Sequence, residues 1–164
     1  RSLNRLSSSY GISGSALDIL SSYLNNRTQS VTVNGTTIPP SSITTGVPQG
    51  SVLGPLLFTL YTSPLSQIFS CSPVSFHLYA DDTQLYISFS ASDANTNLSI
   101  LSSTLETVHN WLTVNRLTVN PSKTEFLIIG THQQRNKLQS PHLNFQNTPI
   151  TPSSSARNLG SDFR

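Results

Sequence analysis

Val74-Ser75-Phe76-His77-Leu78-Tyr79-Ala80-Asp81-Asp82-Thr83-Gln84-Leu85-Tyr86-Ile87-Ser88-Phe89 carries the clearest pattern in the chain. Val74, Phe76, Leu78 and Ala80 alternate with polar residues. After Asp82 the alternation resumes through Leu85, Ile87 and Phe89. Period-two alternation predicts strands with one apolar face. With Asp81 and Asp82 as the two turn residues, Ala80 pairs with Thr83, Leu78 with Leu85, Phe76 with Ile87 and Val74 with Phe89. Tyr79 then meets Gln84, and His77 meets Tyr86, on the polar face. Aspartate tolerates the left-handed backbone of such a turn, but Asn-Gly would form it more cheaply and without mutual repulsion. A site for a hard divalent cation explains two adjacent carboxylates there. A solvated acidic turn explains them as well.

Upstream, Gly46-Val47-Pro48-Gln49-Gly50-Ser51 is incompatible with regular structure and reads as a shaped loop. A long helix is predicted over 53–69, with Leu53, Leu56, Leu57, Leu60, Tyr61, Leu65, Ile68 and Phe69 on a buried stripe. Ser51 would cap this helix, Pro55 suits its first turn, and Pro64 would kink or end it. Residues 93–114 form a second helix, capped by Asp93, with Leu98, Leu101, Leu105, Val108 and Leu112 on one face. Residues 15–25 read as a short helix capped by Ser15, with Leu17, Leu20 and Leu24 aligned. Residues 28–38 read as a hairpin turning at Asn34-Gly35, and Pro39-Pro40-Ser41-Ser42 as a linker. Glu125 to Ile129 reads as a strand, 131–141 as a polar loop, 143–150 as a hairpin, and the chain end as frayed.

Composition limits the function classes. The 164 residues contain 35% hydrophobic and only 10% charged residues, with no Met and one Cys. A single Cys71 excludes a disulfide scaffold and a CxxC zinc site. The missing Met and the mid-domain character of Arg1-Ser2-Leu3-Asn4-Arg5-Leu6 suggest a piece of a longer protein. Net charge is +2, too weak by itself to imply nucleic acid. Residues 1–106 hold three arginines against five acids, net −2. Residues 107–164 hold six bases against two acids, net +4. The longest apolar run, 52–61, is too short to span a membrane and contains Gly54 and Pro55. Three Asn-X-Ser/Thr sequons are expected by chance in so Ser/Thr-rich a chain. His77 reads as a partly exposed strand histidine. His109, His132 and His142 show no ligand spacing, and Trp111 reads as packing.

The loop Gly46 to Pro55, a long helix, Tyr79-Ala80-Asp81-Asp82 in a hairpin, and Asn120-Pro121-Ser122-Lys123-Thr124-Glu125-Phe126-Leu127-Ile128-Ile129-Gly130 follow in this order. Together they resemble the palm of reverse transcriptases, most closely the non-LTR (LINE-type) retrotransposon enzymes. The resemblance extends from Tyr10-Gly11-Ile12-Ser13-Gly14 to Asn158-Leu159-Gly160. It implies an α+β fold: a palm-like antiparallel sheet with helices 53–69 and 93–114 on one face, and partial fingers at the N-terminus. Residues 1–50 would connect fingers to palm, and 51–164 would be palm. It also implies RNA-directed DNA polymerase activity by a two-metal mechanism in the parent protein.

By that resemblance, Asp81 binds the catalytic Mg²⁺ ions (Mn²⁺ as substitute) and Asp82 supports the metal site. Tyr79 and Ala80 pack near the primer end. Pro48, Gln49 and Gly50 lie against the incoming nucleotide and template base, where backbone approaches closely. Lys123 protonates or neutralises the leaving pyrophosphate, and Leu159 and Gly160 begin the primer grip. The implied partners are an RNA template, a DNA primer, deoxynucleoside triphosphates and other domains of a parent polyprotein, with no membrane. The parent would work in nucleus and cytoplasm. The family needs a further metal-binding Asp on a strand upstream of Asn4, and Asp18 is a poor substitute. The isolated chain is therefore expected not to polymerise. The rival reading is a non-catalytic retroelement remnant, acting at most as a nucleic-acid-binding or structural module.

Overall fold

Pro64 divides what the apolar periodicity predicts as one helix. In this computed structural model, which describes residues 2–44, 46–47, 50–146, 148–158 and 161–163, the chain separates at that point into two units, Arg1–Thr62 and Ser63–Arg164. Proline has no N–H for the helical ladder and clashes with the preceding turn.

In the first unit, α1 (Ser2–Tyr10) and α2 (Gly14–Leu24) are followed by four short strands and α3 (Gly54–Thr62). Leu6 of α1 is buried. Arg5 donates to the Tyr61 carbonyl at 2.9 Å and lies 5.3 Å from the Tyr61 ring centre, and Tyr10 Oη donates to the Leu60 carbonyl at 3.0 Å. Both bonds end on carbonyls in the last turn of α3, where the helical ladder runs out. The N-cap position of α2 is Ser13, not Ser15, and its side chain makes no capping bond. Leu17, Leu20 and Leu24 are half-buried, as their spacing predicts.

Strands β1 (Arg27–Gln29), β2 (Thr32–Val33), β3 (Thr36–Thr37) and β4 (Ser41–Ile43) form two nested antiparallel pairs. Asn34 and Gly35 have φ of +50° and +79°, the backbone a two-residue I′ turn requires, at the position the sequence predicts. The linker expected at Pro39-Pro40-Ser41-Ser42 is instead part of this ribbon. Ile38 N–H reaches the Val31 carbonyl at 2.9 Å, and Ser41–Ile43 then falls opposite Arg27–Gln29. Three residues on one side face two on the other between the pairs, which accommodates prolines that have no N–H to give. In α3 no residue is buried, and Leu56, expected on the buried stripe, is 54% exposed. Ser51 does not cap α3: its hydroxyl is buried with no partner among the described residues.

The second unit is built around α5 (Ala94–Val114), entered through a 3-10 turn over Ala91–Asp93. Leu98, Leu101 and Val108 are buried on the predicted face, joined by Ala94 and Thr104. The Asp93 side chain makes no capping bond to the helix. Against α5 lie α4 (Leu65–Ser70), the hairpin of β5 (Ser75–Tyr79) and β6 (Asp82–Tyr86), and the hairpin of β7 (Leu143–Phe145) and β8 (Thr148–Ile150). One cluster joins Val74, Leu98, Leu101, Phe126 and Leu143, and a second joins Leu65, Phe69 and Val108. Leu85 packs against both. The β7–β8 turn is held by α5: the Gln146 N–H donates to Glu106 Oε1 at 2.6 Å, and the Asn144 N–H to Ser102 Oγ at 3.1 Å.

Three further expectations are corrected here. Among the described residues Glu125 to Ile129 has no strand partner. Phe126 is buried and its carbonyl accepts from the Ser153 N–H at 2.7 Å, so packing and this bond help to fix the segment. The expected loop over 131–141 contains α6 (His132–Arg135), started by a capping box in which Thr131 and Gln134 satisfy each other's backbone N–H. The end is not frayed throughout: β9 (Ala156–Asn158) pairs with β10 (Ser161–Phe163). The class is α+β, with small two-stranded antiparallel sheets among the described residues instead of one continuous sheet.

Candidate active site at the acidic hairpin

The β5–β6 hairpin pairs Tyr79 with Asp82, Leu78 with Thr83, His77 with Gln84, Phe76 with Leu85 and Ser75 with Tyr86. Ala80 and Asp81 are therefore the turn residues, and Asp82 is the first residue of β6. This corrects the expected register, in which Asp81 and Asp82 formed the turn. Each strand keeps the same residues on the same face, because the pairing moves by two positions and side chains alternate with period two. Packing selects this pairing: it puts Leu85 opposite Phe76, and both residues reach the Leu65–Phe69–Val108 cluster. The Phe69 and Phe76 ring centres are 4.7 Å apart, and Phe69 is fully buried.

The tip carries a backbone cost. Ala80 has φ +51°, and Asp81 is not in the positive-φ region. A positive φ at the first turn position is where glycine is usual. For alanine the left-handed region costs about 1–2 kcal/mol.

Asp81 and Asp82 are both exposed, one on the turn and one beside it. Asp82 shares the polar face with Tyr79, His77, Gln84 and Tyr86. On that face Tyr86 Oη and His77 Nε2 are 3.1 Å apart and their rings stack at 5.4 Å between centres. His77 and Tyr86 are diagonal neighbours, not the directly paired residues the expected register made them. Tyr79 is 65% exposed.

The other candidate residues are distributed elsewhere. Lys123 is exposed at the end of a 3-10 turn, Pro121–Lys123. Asn120 Oδ1 fixes that turn by accepting from the Ser122 N–H at 3.1 Å and the Ser122 hydroxyl at 2.7 Å. Among the described residues Lys123 makes no hydrogen bond or ion pair with Asp81 or Asp82. Gly50 is exposed with φ +80°. Pro48, Gln49, Leu159 and Gly160 lie outside the described residues. Cys71 is exposed and free.

Two groups near the candidate segments are missed by sequence reasoning. Arg27 reaches the Gly46 end of the shaped loop, and an arginine between a helix end and a strand is its only sequence signal. Ser72, half-buried, and Thr104, buried, form a relay. The Val74 N–H donates to Ser72 Oγ at 3.3 Å, Ser72 donates to Thr104 Oγ1 at 2.9 Å, and Thr104 donates to the Ile100 carbonyl at 2.9 Å. It ties the start of the hairpin to α5, and nothing in a Ser/Thr-rich sequence marks it.

As ligands, two carboxylates supply oxygen donors suited to Mg²⁺. No group of three or more His, Cys, Asp or Glu side chains comes together among the described residues. The pair therefore fits a hard cation in donor type and would supply part of its shell.

The family model described as reverse transcriptase (RNA-dependent DNA polymerase) matches residues 6–162, and the chain belongs to that family. A probable RNA-directed DNA polymerase from transposon BS of Drosophila melanogaster is similar to it, 35% identical over 116 residues. That match covers 65% of this chain, and the chain spans 12% of the length of that relative. No solved structure matches the chain significantly. No helix among the described residues is long and apolar enough to cross a membrane.

Proposed function

We propose that this chain is the palm portion, with part of the fingers, of an RNA-directed DNA polymerase of a non-LTR (LINE-type) retrotransposon. The observation that carries the reading is the Asp81–Asp82 pair, exposed at the tip of a hairpin whose apolar face is seated on the fully buried Phe69. An exposed tip on a seated hairpin presents carboxylates at a defined place, which phosphoryl transfer requires.

Reverse transcriptases generally use divalent metal ions. Asp81 and Asp82 would hold Mg²⁺ or Mn²⁺, which when bound promotes attack by a primer hydroxyl and stabilises the departing pyrophosphate. Asp81 and Asp82 give only part of such a shell, so the 164 residues alone are read as inactive. Tyr79, exposed beside Asp82, offers a ring against the primer end. Gly50 lets backbone approach a nucleotide, together with Pro48 and Gln49. Lys123 carries a positive charge suited to pyrophosphate, and Leu159 and Gly160 would grip the primer. Template sequence is read by base pairing, so no side chain need recognise a base. RNA template, DNA primer and deoxynucleoside triphosphates are the partners of this reading.

The test is primer extension on an RNA template by the longer protein that contains this chain. Asp81→Asn keeps size and hydrogen bonding but removes the charge, and should abolish extension while leaving thermal unfolding unchanged. Undiminished extension by Asp81→Asn sinks the reading. An intact protein that binds template but extends no primer supports the remnant reading instead.

A further inference from the structure

We infer that His77 and Tyr86 form a ring platform that carries the primer strand behind its growing end, on the same face of the hairpin as Asp82. The inference rests on the function proposed above and adds two primer-binding residues to it.

The ladder fixes what lies on this face. Ser75, His77 and Tyr79 of β5 alternate onto it, and so do Asp82, Gln84 and Tyr86 of β6. Tyr79 is 65% exposed, Tyr86 is 49% exposed, and His77 is exposed. Exposed rings scattered singly are ordinary, but three on one face form a patch of the kind that meets a partner. The rings of His77 and Tyr86 lie 13° from parallel with centres 5.4 Å apart, and Tyr86 Oη and His77 Nε2 share a hydrogen bond at 3.1 Å. Both side chains are held before a partner arrives, so little rotamer freedom is lost on contact.

The occupant follows from the neighbours. Asp81 and Asp82 stand at the tip, where the proposed function brings the primer end, and the platform continues from Tyr79 away from that tip. His77 is two residues behind Tyr79 on the same strand, a step of about 6.6 Å. Two nucleotide steps along one strand of a duplex cover about 6.8 Å. With the terminal primer nucleotide at Tyr79, the His77–Tyr86 pair meets the sugar two nucleotides behind it. None of the six residues on this face is Lys or Arg, so the contact is to the carbon face of a deoxyribose and not to a phosphate.

The test is the affinity of the longer protein that contains this chain for a DNA primer annealed to an RNA template, read by fluorescence anisotropy. His77→Ala and Tyr86→Ala should each raise Kd about tenfold, with KM for deoxynucleoside triphosphates within about twofold of wild type. His77→Phe keeps a ring without the hydrogen bond and should bind within about threefold of wild type. The dependence of log Kd on log salt should keep its slope, because no phosphate contact is removed. An unchanged Kd in either alanine variant overturns the inference, even where the thermal midpoint falls, since the rings then only brace the hairpin. So does a His77→Phe variant as weak as His77→Ala, or a salt slope reduced by about one. A single ribonucleotide two positions behind the primer end adds a hydroxyl to the contacted sugar. It should weaken wild-type binding and leave His77→Ala unaffected, and an equal loss in both overturns the placement. If Asp81→Asn retains full extension, the polymerase reading fails and binding decides the platform by itself. Weaker duplex binding by the alanine variants then upholds it, and equal binding overturns it.

Discussion

Replacing Phe69 by alanine removes a fully buried large side chain beneath the acidic hairpin. The ring sits among Leu65 and Val108, with the Phe76 ring 4.7 Å away at an interplanar angle of 31°. Truncating a buried phenylalanine costs about 3–5 kcal/mol in lost transfer energy and cavity formation. The tilted pair with Phe76 adds about 0.5–1.5 kcal/mol beyond area burial. A domain of this size has a total stability of about 5–15 kcal/mol, so this change consumes a large share of it. The thermal midpoint should fall by roughly 10 °C or more. The single Trp111 packs half-buried against the same cluster, so its fluorescence in denaturant titrations reports locally on Phe69. Ile129→Ala is the control: Ile129 is 75% exposed, and its loss should stay within about 0.5 kcal/mol. A double-mutant cycle of Phe69→Ala with Phe76→Ala should show coupling on the scale of the ring pair. A Phe69→Ala cost below about 1 kcal/mol, or additive effects in the cycle, would refute the account that the hairpin is seated on α4.

Ala80→Gly should stabilise the chain slightly. Relief of the left-handed cost, about 1–2 kcal/mol, exceeds the entropic penalty of glycine, about 0.4–1 kcal/mol; a thermal midpoint below wild type would contradict the turn assignment. Thr104→Val breaks the Ser72–Thr104–Ile100 relay inside the core and should cost about 1–3 kcal/mol in chemical denaturation, against a few tenths for the exposed Thr107→Val. Asn120→Ala should cost about 1 kcal/mol and speed hydrogen exchange at the Ser122 amide, because the Ser122 N–H and hydroxyl both donate to Asn120 Oδ1.

Local patterning made much of this protein legible. The I′ turn at Asn34-Gly35 follows from two residues that accept positive φ. The buried face of α5 follows from apolar spacing, and the break at Pro64 from a missing N–H. The segments misread are those whose structure depends on distant partners. Ser41–Ile43 is a strand only because Arg27–Gln29 lies opposite it. Glu125 to Ile129 has a strand's composition but no ladder among the described residues, and Phe126 anchors it through the core instead. The short helix after Thr131 depends on a reciprocal capping box that outweighs a polar, loop-like composition.

At the acidic hairpin the two sources of information separate cleanly. Sequence alone determined the strand pair, its apolar and polar faces, and the carboxylates at its end, since alternation fixes parity. Parity does not choose between registers two residues apart. That choice came from tertiary packing, where Phe76 and Leu85 both settle against the Phe69 cluster at the expense of a left-handed Ala80. The consequence is chemical: Asp81 stands on the turn while Asp82 joins Tyr79 on the polar face, a difference of placement that the alternation of side chains cannot express.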